Sequence, residues 1–355
     1  MSAPSVLREP RSLLVTGGAG FIGSAFVRYL FGAAGYGGRI TNLDLLTYAG
    51  NPENLAGLAA GERYRFVQGD IADGELVSKL IAEEAIDAIV HFAAESHVDR
   101  SIVTPDAFVQ TNVVGTFRLL EAVRRAPHVH FHHVSTDEVY GSLGPTGAFS
   151  ETTAYSPNSP YSASKAGSDH LVRAYAHTYG LSVTVSNCSN NYGPYQFPEK
   201  LIPLMILNLF EKKPLPVYGD GKNVRDWLFV DDHAEALYTI LRSGRAGETY
   251  NVGGEGERTN LEIIGLLIAA VAEITGESSA EFERLITYVK DRPGHDRRYA
   301  IDFTKIKNEL GWTPRHDLAK GLRDTVAWYR GNGAWIEDVR SGAYREWMKT
   351  NYGGR

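Results

Sequence analysis

Ser12-Leu13-Leu14-Val15-Thr16-Gly17-Gly18-Ala19-Gly20-Phe21-Ile22-Gly23 decides the fold. An apolar run of strand length passes straight into glycines that read as G-x-x-G-x-x-G from Gly17 and as G-x-G-x-x-G from Gly18. Such glycines allow a tight turn, close approach of backbone to a pyrophosphate, and close packing of the next helix on the sheet. The amides that open that helix then face the phosphates. The motif is weak alone, since any Gly-rich turn resembles it. Its context is what a dinucleotide site requires: a strand before it and a predicted helix from Phe21 to about Phe31 after it.

Working outward, Arg39 to Leu43 predicts a second strand ending in Asp44, about 20 residues past the glycines, where an acid can bond ribose hydroxyls. That placement favours NAD over NADP, although Asp44 could equally cap the following turn. Tyr64 to Val67 supplies a third strand ending near Asp70-Ile71, Asp73 to Glu83 a helix, and Ala88 to Ala94 a fourth strand. The alternation implies right-handed βαβ units, hence an α/β fold of Rossmann type: a doubly wound parallel sheet with a smaller α/β substrate-binding lobe. Pro105 to Arg125 reads as one long helix. Val129 to Val134 is a buried strand interrupted by histidines, and Ser135-Thr136-Asp137-Glu138-Val139-Tyr140-Gly141 follows it. Adjacent carboxyls at a strand's end are costly to bury unpaired, and the carboxyl ends of strands are where open α/β sheets place their chemistry.

The chain has 355 residues, ordinary composition and a formal net charge of −6. That balance provides no electrostatic footprint for nucleic acid or an anionic membrane. One cysteine, Cys188, permits no internal disulfide; it fits a reducing cytosol and reads as a buried structural thiol. Met1 to Ser12 has no apolar core, so no signal peptide is expected, and no apolar stretch approaches a membrane span of ~20 residues. A cytoplasmic location follows. No His/Cys/Asp/Glu grouping has zinc spacing, so no metal is expected. His97 reads as a structural hydrogen-bonding histidine.

Tyr161-Ser162-Ala163-Ser164-Lys165 opens a predicted helix running to about Tyr179 and stopped by Gly180. Residues four apart share a helix face, so a phenol and an ammonium reach one ligand together. A neighbouring cation favours the phenolate of a tyrosine, a side chain that ordinarily titrates at ~10. That is what removal of a proton from a sugar hydroxyl demands as hydride leaves for nicotinamide. Beyond Val183 to Val185 the alternation fails. Glu199 to Phe210 predicts a helix, Leu215 to Gly221 a strand and turn, Arg225-Asp226-Trp227 the start of another strand, Asp231 to Leu241 a helix and Thr249 to Val252 a strand that rejoins the first lobe. Residues 1–190 with 230–258 are expected to form the NAD lobe, and 191–229 with 259–355 the second lobe. Arg225 suits bidentate phosphate contact. Thr259 reads as a helix cap, and Arg292 and His295 lie in a basic loop, Asp291 to Arg298.

Together the glycine motif, Asp44 and the Tyr161/Lys165 pair resemble the extended short-chain dehydrogenase/reductases that act on nucleotide sugars, over nearly the whole chain. Thr136-Asp137-Glu138, Ala93 to Ser101 and Asp291 to Asp296 resemble, within that superfamily, the dTDP-glucose 4,6-dehydratase family. Epimerases share the Tyr and Lys but typically carry Ser/Thr and small residues where this chain has Asp137-Glu138. The resemblance implies a hydro-lyase forming dTDP-4-keto-6-deoxyglucose and water, with NAD bound and regenerated. Tyr161 with Lys165 would serve oxidation at C4, and Thr136 would bond the O4 region. Glu138 would be the C5 base and Asp137 the acid at the C6 hydroxyl. It also implies that NAD is held by Gly17, Gly20, Phe21, Ile22, Gly23, Asp44, Leu45, Thr47, Asp70, Ile71, Ala93, Ala94, Ser96, Thr111, Tyr161, Lys165 and Asn191. The nucleotide sugar would be held by Ser96, Thr136, Asn190, Glu199, Lys200, Leu201, Pro216, Tyr218, Arg225, Asn260, Arg292 and His295. A homodimer is expected through the helices Pro105 to Arg125 and Tyr161 to Tyr179. The alternatives are a nucleotide-sugar 4-epimerase, a dehydratase of another sugar nucleotide and, from a different class, a non-catalytic NAD-binding regulator.

Overall fold

The protein is described from a computed structural model covering residues 9–58 and 61–340; readings that involve residues 1–8, 59–60 and 341–355 lie outside the described residues. Six strands follow in order: β1 (Ser12–Thr16), β2 (Arg39–Asp44), β3 (Tyr64–Gln68), β4 (Ala88–His91), β5 (His130–Thr136) and β6 (Val183–Cys188). They form a seven-stranded sheet with Thr249–Val252, in the order 3-2-1-4-5-6 and then Thr249–Val252 beyond β6. Every pairing is parallel. A parallel sheet needs crossovers on both faces, so its strands read as continuous apolar runs. Leu13 and Val15 point to one face, where they meet Phe26, Val27 and Leu30 of helix Phe21–Phe31 and Leu237 of helix Val230–Ser243. Leu14 points to the other, towards helices Gly74–Glu83, Thr116–Arg125 and Pro160–Tyr179. Full burial of one such side chain is worth about 1.5–3 kcal/mol.

Two of the three histidines of β5, His130 and His132, face a ladder of hydroxyls on the neighbouring segment. His130 sits between Ser182 Oγ and Thr184 Oγ1, both at 2.9 Å, and His132 between Thr184 Oγ1 and Ser186 Oγ at 2.8 and 3.1 Å. Burial lowers the basicity of both, His130 to about 4, so the imidazoles stay neutral inside the sheet. β5 also runs two residues further than its apolar run, to Thr136. That residue caps a 3₁₀ turn, Asp137–Tyr140.

Two expected elements differ. β4 stops at His91 instead of Ala94. The segment Pro105 to Arg125 is not one α-helix: a π-helical stretch, Val109–Gly115, separates Pro105–Phe108 from Thr116–Arg125. The wider turn brings Asn112 inward. It accepts from Glu95 N at 2.9 Å and donates to Ser164 Oγ at 2.8 Å on the neighbouring helix. The helix expected from Glu199 begins at Leu201, with Lys200 in its extended N-cap position.

Past β6 a second core gathers around helices Leu201–Phe210, Asn260–Thr275 and Leu318–Gly331, built on Ile206, Ile263, Leu267, Val271 and Val326. Short strands join it: Asn190–Tyr192 with Trp227–Phe229, Val224–Arg225 with Arg258–Thr259, and Leu215–Tyr218 with Ile286–Val289. Thr259 caps helix Asn260–Thr275 reciprocally with Glu262.

Helix Pro160–Tyr179, which carries Tyr161 and Lys165, starts from a capping box. Ser159 Oγ accepts from Ser162 N at 3.0 Å, and Ser162 Oγ accepts from Ser159 N at 3.0 Å. Ser159→Ala is therefore expected to destabilise the protein by about 1 kcal/mol, read as a lower urea midpoint at unchanged slope; an unchanged midpoint would contradict the cap's contribution.

Candidate active site

The strand order reverses at β1 and β4, and the crevice that opens there beyond the strands' carboxyl ends is where such sheets bind ligands. A cavity of about 310 Å³ occupies it. Its floor is the glycine turn. Gly17 has a φ of +73°, and a Cβ there would stand 2.6 Å from Ala93 N; a Cβ on Gly23 would stand 2.3 Å from Gly17 O. Helix Phe21–Phe31 begins at Gly20 with no side-chain cap and no acid in its first turn. Its first amides are thus left for a ligand's anionic group. Asp44, buried at the end of β2, accepts from Ala19 N at 2.9 Å and Leu46 N at 2.8 Å. It caps the turn and also borders the cavity. Each carboxylate oxygen keeps a second lone pair for a ribose hydroxyl.

Every residue expected around the cofactor lines this cavity, from Gly17, Gly20, Phe21, Ile22 and Gly23 through Asp44, Leu45, Thr47, Asp70, Ile71, Ala93, Ala94, Ser96 and Thr111 to Asn191. So do Thr136, Asp137, Glu138, Tyr161, Lys165, Asn190, Glu199 and Lys200. Leu201, Pro216, Tyr218, Arg225, Asn260, Arg292 and His295 do not. Part of that second group assembles around Asp99, a residue not singled out from the sequence. Asp99 accepts from Arg292 Nη1 at 2.9 Å and from Tyr218 OH at 3.0 Å. His295 bonds Asp291 at 2.6 Å, and burial with nearby Arg292 lowers it to about 4. Arg225 is buried, donates to the carbonyls of Val224 and Asp296 at 2.7 and 2.9 Å, and lies 4.2 Å over the Tyr299 ring. His97 accepts from Arg100 N at 3.4 Å at the start of helix Val98–Val103, the structural role expected of it.

Sequence reading also missed Tyr48, Phe197, Glu95 and Gln196. The last three line the cavity. Tyr48 donates to Glu199 Oε1 at 2.9 Å, carries the Arg100 guanidinium 3.5 Å from its ring centre, and meets Phe197 edge-on. They lie in loops without periodicity; only Glu95, inside the Ala93 to Ser101 stretch, carried a legible signal. Cys188 is buried, as read, and its thiol is pushed up to about 12, chiefly by burial.

The electrostatics separate the two acids. Asp137 is 1 % exposed. Its Oδ1 accepts from Thr136 Oγ1 at 3.3 Å, and among the described residues Oδ2 has no hydrogen-bond partner. Burial, Glu138 and Asp226 hold its carboxyl well above the ordinary range, which favours the protonated form. Glu138 is only half-buried. Burial raises it too, but Arg292, Arg225 and Lys200 pull it back towards the anion. Tyr161 packs edge-on against Phe108. Burial and Glu138 push its phenol well above the usual tyrosine value, with a hydrogen bond to Thr136 opposing. Lys165 Nζ donates to Val134 O at 2.9 Å. Among the described residues no group of three or more His, Cys, Asp or Glu side chains is arranged to hold a metal ion.

The family profile of GDP-mannose 4,6 dehydratase matches residues 14–325. The chain is similar to a dTDP-glucose 4,6-dehydratase of Xanthomonas campestris pv. campestris, at 58% identity over 342 residues, 94% of this chain and 97% of the relative. It is similar in structure to a dTDP-glucose 4,6-dehydratase of Streptomyces venezuelae solved with NAD bound: TM-score 0.87, 51% identity, 92% of this chain and 99% of that one. A UDP-glucose 4-epimerase of Thermotoga maritima has TM-score 0.81 at 30% identity, over 90% and 99% of the chains.

The raised carboxyl of buried Asp137 makes a stability prediction with a definite sign. Below the ordinary carboxyl range both folded and unfolded chains bind its proton. As pH rises above that range the unfolded chain releases it and the folded chain does not, which costs the wild type about 1.4 kcal/mol per pH unit. Asp137→Asn escapes that loss. Urea unfolding at pH 4.5, 5.5 and 6.5 is expected to show the variant gaining on the wild type at each step; a constant difference would mean that Asp137 ionises in the folded protein.

Proposed function

This chain belongs to the dTDP-glucose 4,6-dehydratase family, and we propose that its cavity converts dTDP-glucose to dTDP-4-keto-6-deoxyglucose and water as an NAD-dependent hydro-lyase. The observation that carries the reading is the acid pair: two adjacent carboxyls, both raised by burial but Asp137 further than Glu138, which three cations draw back, share one cavity with Tyr161. Oxidation and reduction at one carbon, as in an epimerase, need a phenol and a cofactor; elimination of water needs in addition an acid and a base.

Bound NAD would supply the acceptor for the C4 hydride and the donor for its return to C6, and its positive charge would favour the phenolate. The cradle of Gly17 and Gly23, the uncapped amides beyond Gly20 and the Asp44 carboxylate suit its pyrophosphate and ribose. The nicotinamide end then falls to Tyr161, Lys165, Asn191 and Ser96. Tyr161 accepts the O4 proton, with Thr136 bonding the same oxygen. The resulting 4-keto group acidifies the C5 proton, which Glu138 removes. Asp137 gives its proton to O6 as the C6–O6 bond breaks, and water departs. Glu138 then returns a proton to C5. The raised carboxyl of Asp137 and the three cations around Glu138 support this division.

Asn190, Glu199 and Lys200 are assigned to the hexose. Arg225, Asn260 and Arg292 are assigned to the diphosphate, and Leu201, Pro216, Tyr218 and His295 to the nucleoside side. Among the described residues, those of 9–190 with 230–258 are assigned to the NAD lobe and those of 191–229 with 259–340 to the nucleotide-sugar lobe; the pairing of Thr249–Val252 with β6 supports the discontinuity. A cytoplasmic enzyme fits a cavity built for phosphorylated ligands, and no described helix is long and apolar enough to cross a membrane. A homodimer through the segments Pro105 to Arg125 and Tyr161 to Tyr179 fits the exposure there of Val109 and Tyr179.

Incubation with dTDP-glucose, UDP-glucose and GDP-mannose in parallel tests the reading. A 4-keto-6-deoxy product is expected from dTDP-glucose at a rate at least about tenfold above the other two; a 4-epimer instead would refute dehydration. Glu138→Gln is expected to cut C5 deuterium incorporation from heavy water by about 10²-fold or more while C4 oxidation persists. Unaltered C5 exchange in that variant would remove Glu138 from the base role.

A further inference from the structure

The proposed chemistry asks Lys165 to remain an ammonium in a place that opposes it. Lys165 is 4 % exposed and burial lowers its basicity. Its Nζ makes one hydrogen bond, to Val134 O, among the described residues, which leaves two of its three N–H groups. One helical turn further along the same face lies Asp169, at 0 % exposure. The two residues anchor on adjacent positions of β5: Lys165 on the Val134 carbonyl, Asp169 on Ser135, whose Oγ donates to Oδ2 at 2.8 Å. Tyr155 OH donates to the same oxygen at 2.9 Å. Oδ1 has no hydrogen bond among the described residues, and His133 Nε2 lies 3.1 Å from it. The carboxylate is thus held in place by Oδ2, while Oδ1 lies beside the His133 imidazole in an interior where an unpaired charge is costly.

Resting on the reaction proposed above, we propose that Asp169 is a positioning residue: it is the buried counter-charge that keeps Lys165 an ammonium and aims it at Tyr161. The groups that face the pair do not compete for this role. His91 on β4 and His133 on β5 are driven neutral by burial, and the Cys188 thiol on β6 stays protonated. Burial likewise keeps Tyr155 and Tyr140 as phenols. His170, on the exposed side of the same helix, packs on the Tyr155 ring at 5.2 Å. Burial raises the Asp169 carboxyl to about 6, and Lys165 is the foremost of the groups that oppose that rise.

Asp169→Asn tests this, because the amide oxygen still accepts from Ser135 and Tyr155 while the charge is gone. The full-length protein with lysine labelled with ¹³C at Cε is titrated by NMR, the Lys165 signal being identified by its loss in Lys165→Met. In Asp169→Asn the Lys165 midpoint is expected to fall by about one pH unit or more, and the alkaline limb of kcat to move down with it. At pH 8 this predicts a roughly tenfold loss of kcat, recovering as pH is lowered. An unmoved Lys165 midpoint, whatever happens to kcat, would overturn the proposal and leave Asp169 a packing residue. If Asp169→Asn does not fold, the reciprocal measurement decides: the ¹³Cγ midpoint of Asp169 is expected to rise by about one unit in Lys165→Met, and no rise would overturn the proposal equally. Failure of the wild type to turn over dTDP-glucose would sink the function while both titrations still read the pair.

Discussion

The reversal of strand order at β1 and β4 is the constraint on which the rest depends. Chains leaving β1 and β4 at their carboxyl ends depart in opposite directions, so no connection fills the space between them. Only a turn with almost no side chains fits where β1 ends, since a Cβ at Gly17 would collide with the backbone at Ala93. The same turn delivers the uncapped end of helix Phe21–Phe31 into the crevice. Fold and anion site therefore arise from one piece of geometry.

A dry crevice changes what ordinary side chains can do. The Asp137 carboxyl is raised because burial and two nearby carboxylates make its anion expensive; Glu138, one residue on, is raised by burial too but has three cations drawing it back. The 3₁₀ turn after β5 makes this contrast possible by turning adjacent residues into different surroundings. Beneath it, polar groups in the sheet are matched to partners: imidazoles of β5 with hydroxyls of β6, and the Asp169 carboxylate with Ser135 and Tyr155. Such matching lets a strand as polar as His130–Thr136 remain fully buried.

The crevice is closed from the other side by contacts that bring distant segments together. Tyr48, after β2, reaches Glu199, while Arg100 lies on the Tyr48 ring and 3.4 Å from the same carboxylate. Asn51 bonds Asp338 at 3.0 Å, and Trp335 bonds Asn54 at 2.8 Å. Asp99, close to Arg100 in sequence, holds Arg292 and Tyr218 of the second core. The loop that borders the dinucleotide crevice is thus fastened to the half that carries the residues assigned to the nucleotide sugar.

Local pattern alone determined the parallel α/β fold, because buried strands and their crossover helices each carry their own periodicity and the glycine turn has few conformational alternatives. It also singled out Thr136, Asp137, Glu138, Tyr161 and Lys165, which the structure brings to one cavity because their spacing is short enough for one strand end and one helix face. Only the tertiary structure decided that Asp99 and Tyr48 tie together segments around the cavity, that Pro105 to Arg125 opens into a π-helical turn at Asn112, and that Arg225 gives two of its five N–H groups to backbone carbonyls. Those outcomes depend on side chains from segments far apart in the chain meeting in low dielectric, where burial and partner charges set both contacts and protonation; no local pattern encodes which segments will meet.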